Sequence, residues 1–484
     1  MSTIKIDLSQ RVGTVDRKIY GNFIEHLGRC IYGGIYEPGS PLSDERGFRK
    51  DALEAVRALK VPILRWPGGN FVSGYHWMDG VGPKESRPKR RELAWHAVES
   101  NQFGTNEFIE YCRLIDTEPY ICVNMGSGTQ DEAANWVEYC NGTGDTEFAN
   151  LRRSHGYEQP HKVKYWGLGN EVYGDWQIGH KSAQDYAKAA REFGKVMKWT
   201  DPDIELVACG AQHLEWDVEV LDHTADLVQY IAAHYYWGPT PGEDPYYSTL
   251  TKPANFEEYL RILWQLICDT RRKRGIRHEI KIALDEWNVW YRTGGNTEEV
   301  LQERYDLTDA LAVAIFLNMM RRNCHAIEIA NLAQLVNVIA PIFTSPEGLF
   351  RQTIYFPLQA AVDYSGGIAL NAWVDCETCE APGNLARTQP LLDVFASLDE
   401  AAGKLFISAV NLKKDEPQEV RVKIDSARVG PEGVAHIVNG PSAETVNDFG
   451  AEQVAMIHET FAASADFIYT LPAHSAAVLE VDLG

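Results

Sequence analysis

VKYWGL (residues 163–168), SAQDYAKAAREFGKVMKW (182–199) and ELVAC (205–209) follow one another in the middle of the chain. The outer two runs are short and rich in β-branched and aromatic residues. In the middle one Tyr186, Ala190, Phe193 and Met197 recur at steps of four, three and four, which is one apolar stripe along a helix. Strand, helix and strand in that order are the unit of a parallel sheet. Working outward, the same alternation predicts eight strands: Ile19–Glu25, Pro62–Trp66, Tyr120–Asn124, Val163–Leu168, Glu205–Cys209, Val228–His234, Lys281–Glu286 and Ile327–Leu332. Clear helical patterns fall at Arg49–Lys60, Thr105–Asp116, Ser182–Trp199, Phe256–Arg272 and Thr308–Arg322. Eight strands with helices outside describe a (β/α)8 barrel of the TIM type, expected over residues 18–375. Beyond it Leu405–Ala409, Val420–Ile424 and Ala477–Val481 alternate with no long helical segment. A jelly-roll-like, all-β sandwich is therefore expected over 376–484, joined by the alternating N-terminal run Thr3–Leu8 within residues 1–17.

A chain of 484 residues exceeds what one core usually serves, which suits two domains. The formal charge of −22 repels a phosphate backbone and argues against a nucleic-acid partner. The one basic cluster, Lys84–Arg91 (KESRPKRR), reads as a solvated loop. Nine cysteines, an odd number, and an opening MSTIKIDLSQ without a basic-then-apolar leader suit a reduced, cytoplasmic protein. Cys376 and Cys379 form a single C-x-x-C with no second pair at zinc-ribbon spacing, so neither metal nor redox chemistry is expected there. The apolar run Leu311–Met320 is about half of a bilayer span and reads as a buried helix, leaving no membrane partner.

In such barrels the chemistry sits at the C-terminal ends of the strands. The fourth strand runs into Asn170 and Glu171, and the seventh into Asp285 and Glu286. Neighbouring side chains on a strand point to opposite faces, so only one of Asp285 and Glu286 is expected inside. Glu286 is the choice, being the later and followed by Trp287 and Trp290, aromatics of the kind that wall a sugar. Two carboxylates on strand ends of one barrel are what glycosidic cleavage requires, one giving a proton to the leaving oxygen and one attacking or directing water.

Five blocks now carry a resemblance: GNFIEHLG (21–28) with IYGG (31–34), RWPGGNF (65–71), WGLGNE (166–171), DEWNVW (285–290) and AQLVNVIAP (333–341). In this order they resemble the signatures of the glycoside hydrolase family 51 α-L-arabinofuranosidases. The resemblance implies a retaining double displacement that releases terminal α-L-arabinofuranosyl units from arabino-oligosaccharides, arabinan or arabinoxylan fragments. In it Glu171 is the acid/base and Glu286 the nucleophile, with no cofactor. It also implies that Glu25, Arg65, Asn70, Asn170, Tyr236 and Gln334 hold the furanose hydroxyls or orient the nucleophile, Asn170 reaching the 2-hydroxyl. A homohexamer is implied in the same way. Asn22 stands where the family has histidine as often as not.

Several residues keep two readings. Arg65, charged within an apolar run, needs a carboxylate partner, either as a structural ion pair or to hold Glu286 ionised. His234 lines the pocket or is a hydrogen-bonded core histidine, and Tyr236, two positions on, shares its face. Trp95 caps the sugar or is packing. Glu171 must be protonated to act as an acid, so its pKa is expected to be raised while Glu286 stays ionised. The rivals are another retaining barrel glycosidase, a β-xylosidase or endoglucanase, and a non-catalytic sugar-binding protein, which would have to lack one carboxylate.

Overall fold

In the computed structural model, which describes residues 1–291, 301–381 and 388–484, all eight predicted strands are present. In chain order they are Gly21–Phe23, Ile63–Trp66, Glu118–Val123, Tyr165–Leu168, Glu205–Ala208, Tyr230–Trp237, Lys281–Val289 and Ile327–Ala333. They pair in parallel and close into a barrel, the eighth against the first. Ile63, Tyr120, Tyr165, Val207, Tyr230, Ala232, Ala283 and Ile329 fill its interior. Gly21 supplies no side chain to that layer because a Cβ there would sit 2.5 Å from the Ala330 carbonyl and from Ile63.

The helices cover the barrel with their apolar stripes. Ala183–Thr200 buries Tyr186, Ala190, Phe193 and Met197, the stripe visible in the sequence, and its N-cap Ser182 accepts from the Asp185 N–H at 3.2 Å. Burying a side chain such as Phe or Met contributes roughly 1.5–3 kcal/mol. Helices at Gln130–Asn141, Glu147–Ser154, Leu214–Thr224, Pro245–Thr251 and Tyr355–Asp363 are additional to those expected.

Ser2–Thr14 lies in a nine-stranded sheet, antiparallel to Ile368–Asp375 and parallel to Gln418–Asp425. The sheet curls so that strands from its two halves share one apolar core, Ile4, Val422 and Phe467 meeting Leu405, Ile437 and Val481. Ile368–Asp375 was assigned to the barrel in the sequence reading. Here it pairs with Leu392–Asp399 inside this sheet, so the β-rich unit begins before residue 376. Helix Leu307–Arg322 is buried over residues 307–321, as a helix apolar on all faces must be. It is wedged between barrel and sheet, with Asn318 donating to Asp393 at 2.6 Å and Arg322 pairing with Asp393 at 2.9 Å. No helix among the described residues is long and apolar enough to cross a membrane.

The basic cluster is largely solvated, with Arg87 as its one buried anchor. Arg87 is buried and donates to both oxygens of Glu107 at 3.0 Å, while Arg90–Arg91 pairs with Val98–Glu99 in a hairpin. That hairpin carries Trp95 toward the barrel mouth.

Candidate active site

After the fourth strand the chain turns sharply, with Gly169 at φ 78° and Glu171 at φ 42°. A non-glycine residue in the left-handed region costs about 1–3 kcal/mol, and such strain collects where a side chain must be aimed. The turn brings both Asn170 and Glu171 to the barrel mouth. Glu171 Oε1 accepts from His234 Nδ1 at 2.9 Å and from the Tyr173 hydroxyl at 3.1 Å; Oε2 accepts from Trp176 Nε1 at 3.0 Å.

The seventh strand corrects the sequence reading. Its pairing shifts register between Ala283 and Glu286 on one side and between Leu284 and Trp287 on the other, a bulge at residues 285–286. A bulge breaks the alternation of faces, so Asp285 and Glu286 both point inward. Asp285 accepts from the Tyr120 hydroxyl at 2.7 Å and meets His234 Nε2 at 3.1 Å and Arg65 Nε at 3.3 Å. Glu286 accepts from Arg65 Nη1 at 2.7 Å and from the Tyr236 hydroxyl at 2.8 Å. Trp287, expected as a sugar wall, faces outward instead and stacks on Phe316 at 4.9 Å. Trp290 packs edge-on against Tyr236 at 5.5 Å, beside the nucleophile candidate.

Arg65 takes the ion-pair reading: buried, it bridges Glu286 and Asp285 and donates from Nη2 to Asn170 Oδ1 at 2.6 Å. Glu25, at the end of the first strand, accepts from the Phe71 N–H at 2.9 Å, Trp95 Nε1 at 3.0 Å and Gln334 Nε2 at 3.0 Å. Gly68 and Gly69 permit this, since a Cβ on either would come within 2.9 Å of the Glu25 side chain. Asn70 accepts from Gln177 Nε2 on the adjoining rim. Asn170 Nδ2 and Gln334 Oε1 are buried without a protein partner, a donor and an acceptor that a sugar hydroxyl would satisfy. Asp285, Tyr120, Tyr173 and Trp176 were not singled out from the sequence. Tyr173 and Trp176 follow Glu171 within five residues, a signal that was available.

The electrostatics reverse one expectation. Burial works against ionisation of Glu171, but the contact with His234 and the Trp176 and Tyr173 hydrogen bonds outweigh it, and the carboxyl lies below the ordinary Glu value. Burial likewise opposes charge on His234, yet Glu286, Asp285 and Glu171 around it raise its pKa to about 10. The proton expected on Glu171 therefore rests on the imidazole beside it. Burial, opposed by the Phe71 and Trp95 hydrogen bonds, lifts Glu25 to about 8. One oxygen of Glu171, one of Glu286 and a ring nitrogen of His234 all lie within 4.8 Å of one another.

A parallel eight-stranded barrel presenting two close glutamates at the ends of strands four and seven defines a barrel glycoside hydrolase. Residues 55–255 match the α-L-arabinofuranosidase 1 domain, and residues 285–475 match the α-L-arabinofuranosidase C-terminal domain. The chain is 41% identical over 500 residues to a probable α-L-arabinofuranosidase C of Aspergillus niger, covering 99% of this chain and 96% of that one. It is 41% identical over 473 residues to an intracellular exo-α-(1→5)-L-arabinofuranosidase of Halalkalibacterium halodurans, covering 94% of each. The crystal structure of an α-L-arabinofuranosidase from Thermotoga maritima in its arabinose complex superposes with a TM-score of 0.93 at 44% identity, covering all of both chains. The chain belongs to the glycoside hydrolase family 51 α-L-arabinofuranosidases.

Proposed function

We propose that the enzyme releases terminal, non-reducing α-L-arabinofuranosyl residues by retaining double displacement, with Glu286 as nucleophile and Glu171 as acid/base. The observation that carries this reading is the separation of the two carboxylates. A pair of their oxygens within 4.8 Å sits with the roughly 5–5.5 Å spacing of retaining enzymes and not with the roughly 6.5–9.5 Å that admits an inverting enzyme's water, which favours direct attack by Glu286. Arg65 and Tyr236 hold the two oxygens of Glu286 and so aim it.

The proton needed by the leaving oxygen is stored on His234 and passes over 2.9 Å to Glu171 as the glycosidic bond breaks. Glu286 is then an ester, and Glu171, now a carboxylate, takes a proton from the water that hydrolyses it. Asn170, fixed by Arg65, offers its free N–H to the 2-hydroxyl. Glu25, Gln334, Trp95 and Asn70 bind the remaining hydroxyls, and Trp290 with Tyr236 closes the wall. No cofactor takes part. The natural substrates in this reading are arabino-oligosaccharides, following the exo-(1→5) and intracellular names of the bacterial relative; a cytoplasmic location and a homohexamer belong to the same proposal.

Replacing Glu286 with Ala and adding azide tests the assignment. The expected result is loss of turnover followed by recovery as a glycosyl azide of inverted configuration. Undiminished hydrolysis by the variant would refute it.

A further inference from the structure

Asn70 stands in the loop after the second strand, and its amide meets a hydroxyl either with its N–H group or with its oxygen. What decides between the two lies outside the sugar pocket. Gln177, buried in the loop after the fourth strand, donates from Nε2 to Asn70 Oδ1. Its own Oε1 accepts from the Ser73 hydroxyl at 2.7 Å. Ser73 is buried too and belongs to the same short helical segment as Asn70, Asn70–Gly74. The three side chains form a directed chain, Ser73 donating to Gln177 and Gln177 to Asn70. It ends on Asn70 Nδ2, for which no described residue supplies an acceptor.

The direction has a physical cause. With the Gln177 amide reversed, Nε2 would donate to Ser73 Oγ, and the buried Ser73 proton would have no acceptor among the described residues. A buried donor left unpaired is costly, so the observed direction is the stable one. The backbone around the chain is fixed as well. The Ser127 N–H donates to the Ser73 carbonyl at 3.0 Å, and a Cβ on Gly126 would lie 2.3 Å from that carbonyl and 2.5 Å from the carbonyl of Ile178. On the other side the Phe71 N–H is committed to Glu25 at 2.9 Å. The freedom left to Asn70 is a flip of its amide, and Gln177 removes it. Asn170 is treated in the same way by a simpler device. Arg65, which only donates, occupies Asn170 Oδ1 and leaves Nδ2 for the sugar.

We propose that Gln177 is a positioning residue that sets the hydrogen-bond polarity of Asn70, so that the enzyme meets one furanose hydroxyl as a donor and holds it by its oxygen. The proposal rests on the arabinofuranosidase reading, in which Asn70 touches the sugar, and adds the residue that decides what this contact selects. Gln177 itself touches no substrate.

The test compares 4-nitrophenyl α-L-arabinofuranoside with its analogues carrying fluorine in place of the 3- or the 5-hydroxyl. Fluorine accepts a hydrogen bond weakly and donates none. Its inductive effect on the reaction is the same in every variant and cancels when each variant is referred to the unaltered enzyme. Turnover of the parent by the unaltered enzyme tests the underlying activity, and its absence would overturn that reading itself. Gln177→Glu keeps the size of the side chain but sets an acceptor against Asn70 Oδ1, which turns the amide over and presents its oxygen to the sugar. A hydroxyl adapts by donating, so the parent should lose only about two- to threefold. Fluorine has no proton to give, so kcat/KM for one of the two analogues, relative to the parent, should drop about a further tenfold, through KM more than kcat. Ser73→Ala releases Gln177 to take either orientation. With about half the molecules presenting the donor, the same ratio should drop about twofold while the parent is unaffected. This second variant keeps the test readable where Gln177→Glu fails to fold. Equal losses on all three substrates, or fluorine ratios unchanged in both variants while the parent is turned over, would overturn the proposal and leave the activity standing.

Discussion

Replacing His234 with Gln should move the alkaline limb of the activity profile. His234 Nδ1 lies 2.9 Å from Glu171 and 3.5 Å from Glu286, and Nε2 lies 3.1 Å from Asp285. These carboxylates hold its proton until about pH 10, so the pair with Glu171 keeps the catalytic proton across the neutral range. Glutamine has no such proton, and the reservoir shrinks to the Glu171 carboxyl. Losing His234 removes the strongest of the contacts that lower Glu171 and leaves burial, which raises it. The alkaline limb should therefore move to lower pH, and kcat/KM for arabinobiose should fall at least about tenfold at about pH 8 relative to about pH 5.5, within the roughly 10²–10⁴-fold that a general acid contributes. Arabinobiose is the right substrate because a sugar leaving group needs the acid. Glu25, Arg65 and Tyr236 are the same in both proteins, so the difference between the two profiles isolates His234. The same residue links stability to pH: its raised pKa gives stabilisation that is complete below the unfolded value near 6.5 and lost as pH rises through about 10. The contribution reaches up to about 5 kcal/mol at roughly 1.4 kcal/mol per unit. Superimposable alkaline limbs, or a loss of equal factor at every pH, would refute the shared-proton account.

Arg65→Met leaves Asp285 and Glu286 buried without their cation; breaking a buried pair costs about 3–5 kcal/mol, to be read from the urea midpoint, and a variant of unchanged stability would contradict the bridging role. Trp95→Phe removes one of three donors to Glu25. A hydrogen bond to a neutral carboxyl is worth about 0.5–1.5 kcal/mol, so KM should rise about two- to tenfold with a smaller change in kcat, and a loss confined to kcat would argue against a binding role. Chelators are expected to leave turnover unchanged, because Arg65 and the His234 proton already offset two of the three carboxylates; a loss with EDTA that a divalent ion restores would overturn this.

The barrel was legible because its signal is repetitive. Each strand is a short apolar run, and a parallel strand buried on both faces needs nothing more. The helix Gln130–Asn141 carried the same kind of signal, with Ala133, Trp136, Val137 and Cys140 at helical spacing, but acidic residues interleave it. Leu214–Thr224 is harder, since Leu214 and Val218 face solvent and blur the stripe. At the site, the two glutamates and Arg65 could be read from strand ends, whereas Asp285 could not. The alternation rule excludes it, and only the pairing register of the seventh strand against its neighbours reveals the bulge. Tyr120 likewise reads as core from its strand, and its hydroxyl acquires meaning only once Asp285 is known to point inward.

That bulge sets the charge of the site. With His234 protonated, Glu171, Asp285 and Glu286 face the two cations Arg65 and His234, which leaves one net negative charge at the centre. Glu25, raised to about 8, adds none at neutral pH. Positive charge developing on the anomeric carbon meets that field. In the proposed double displacement, bond cleavage removes the proton of the His234–Glu171 pair and turns Glu286 into a neutral ester, so Asp285 and Glu171 then face Arg65 alone. One negative charge again remains. Both displacements therefore pass through oxocarbenium-like transition states in the same net field, and the third carboxylate that the bulge turns inward is what makes that field negative. Without Asp285 the resting form and the ester form would both be neutral, and both halves of the reaction would be slowed.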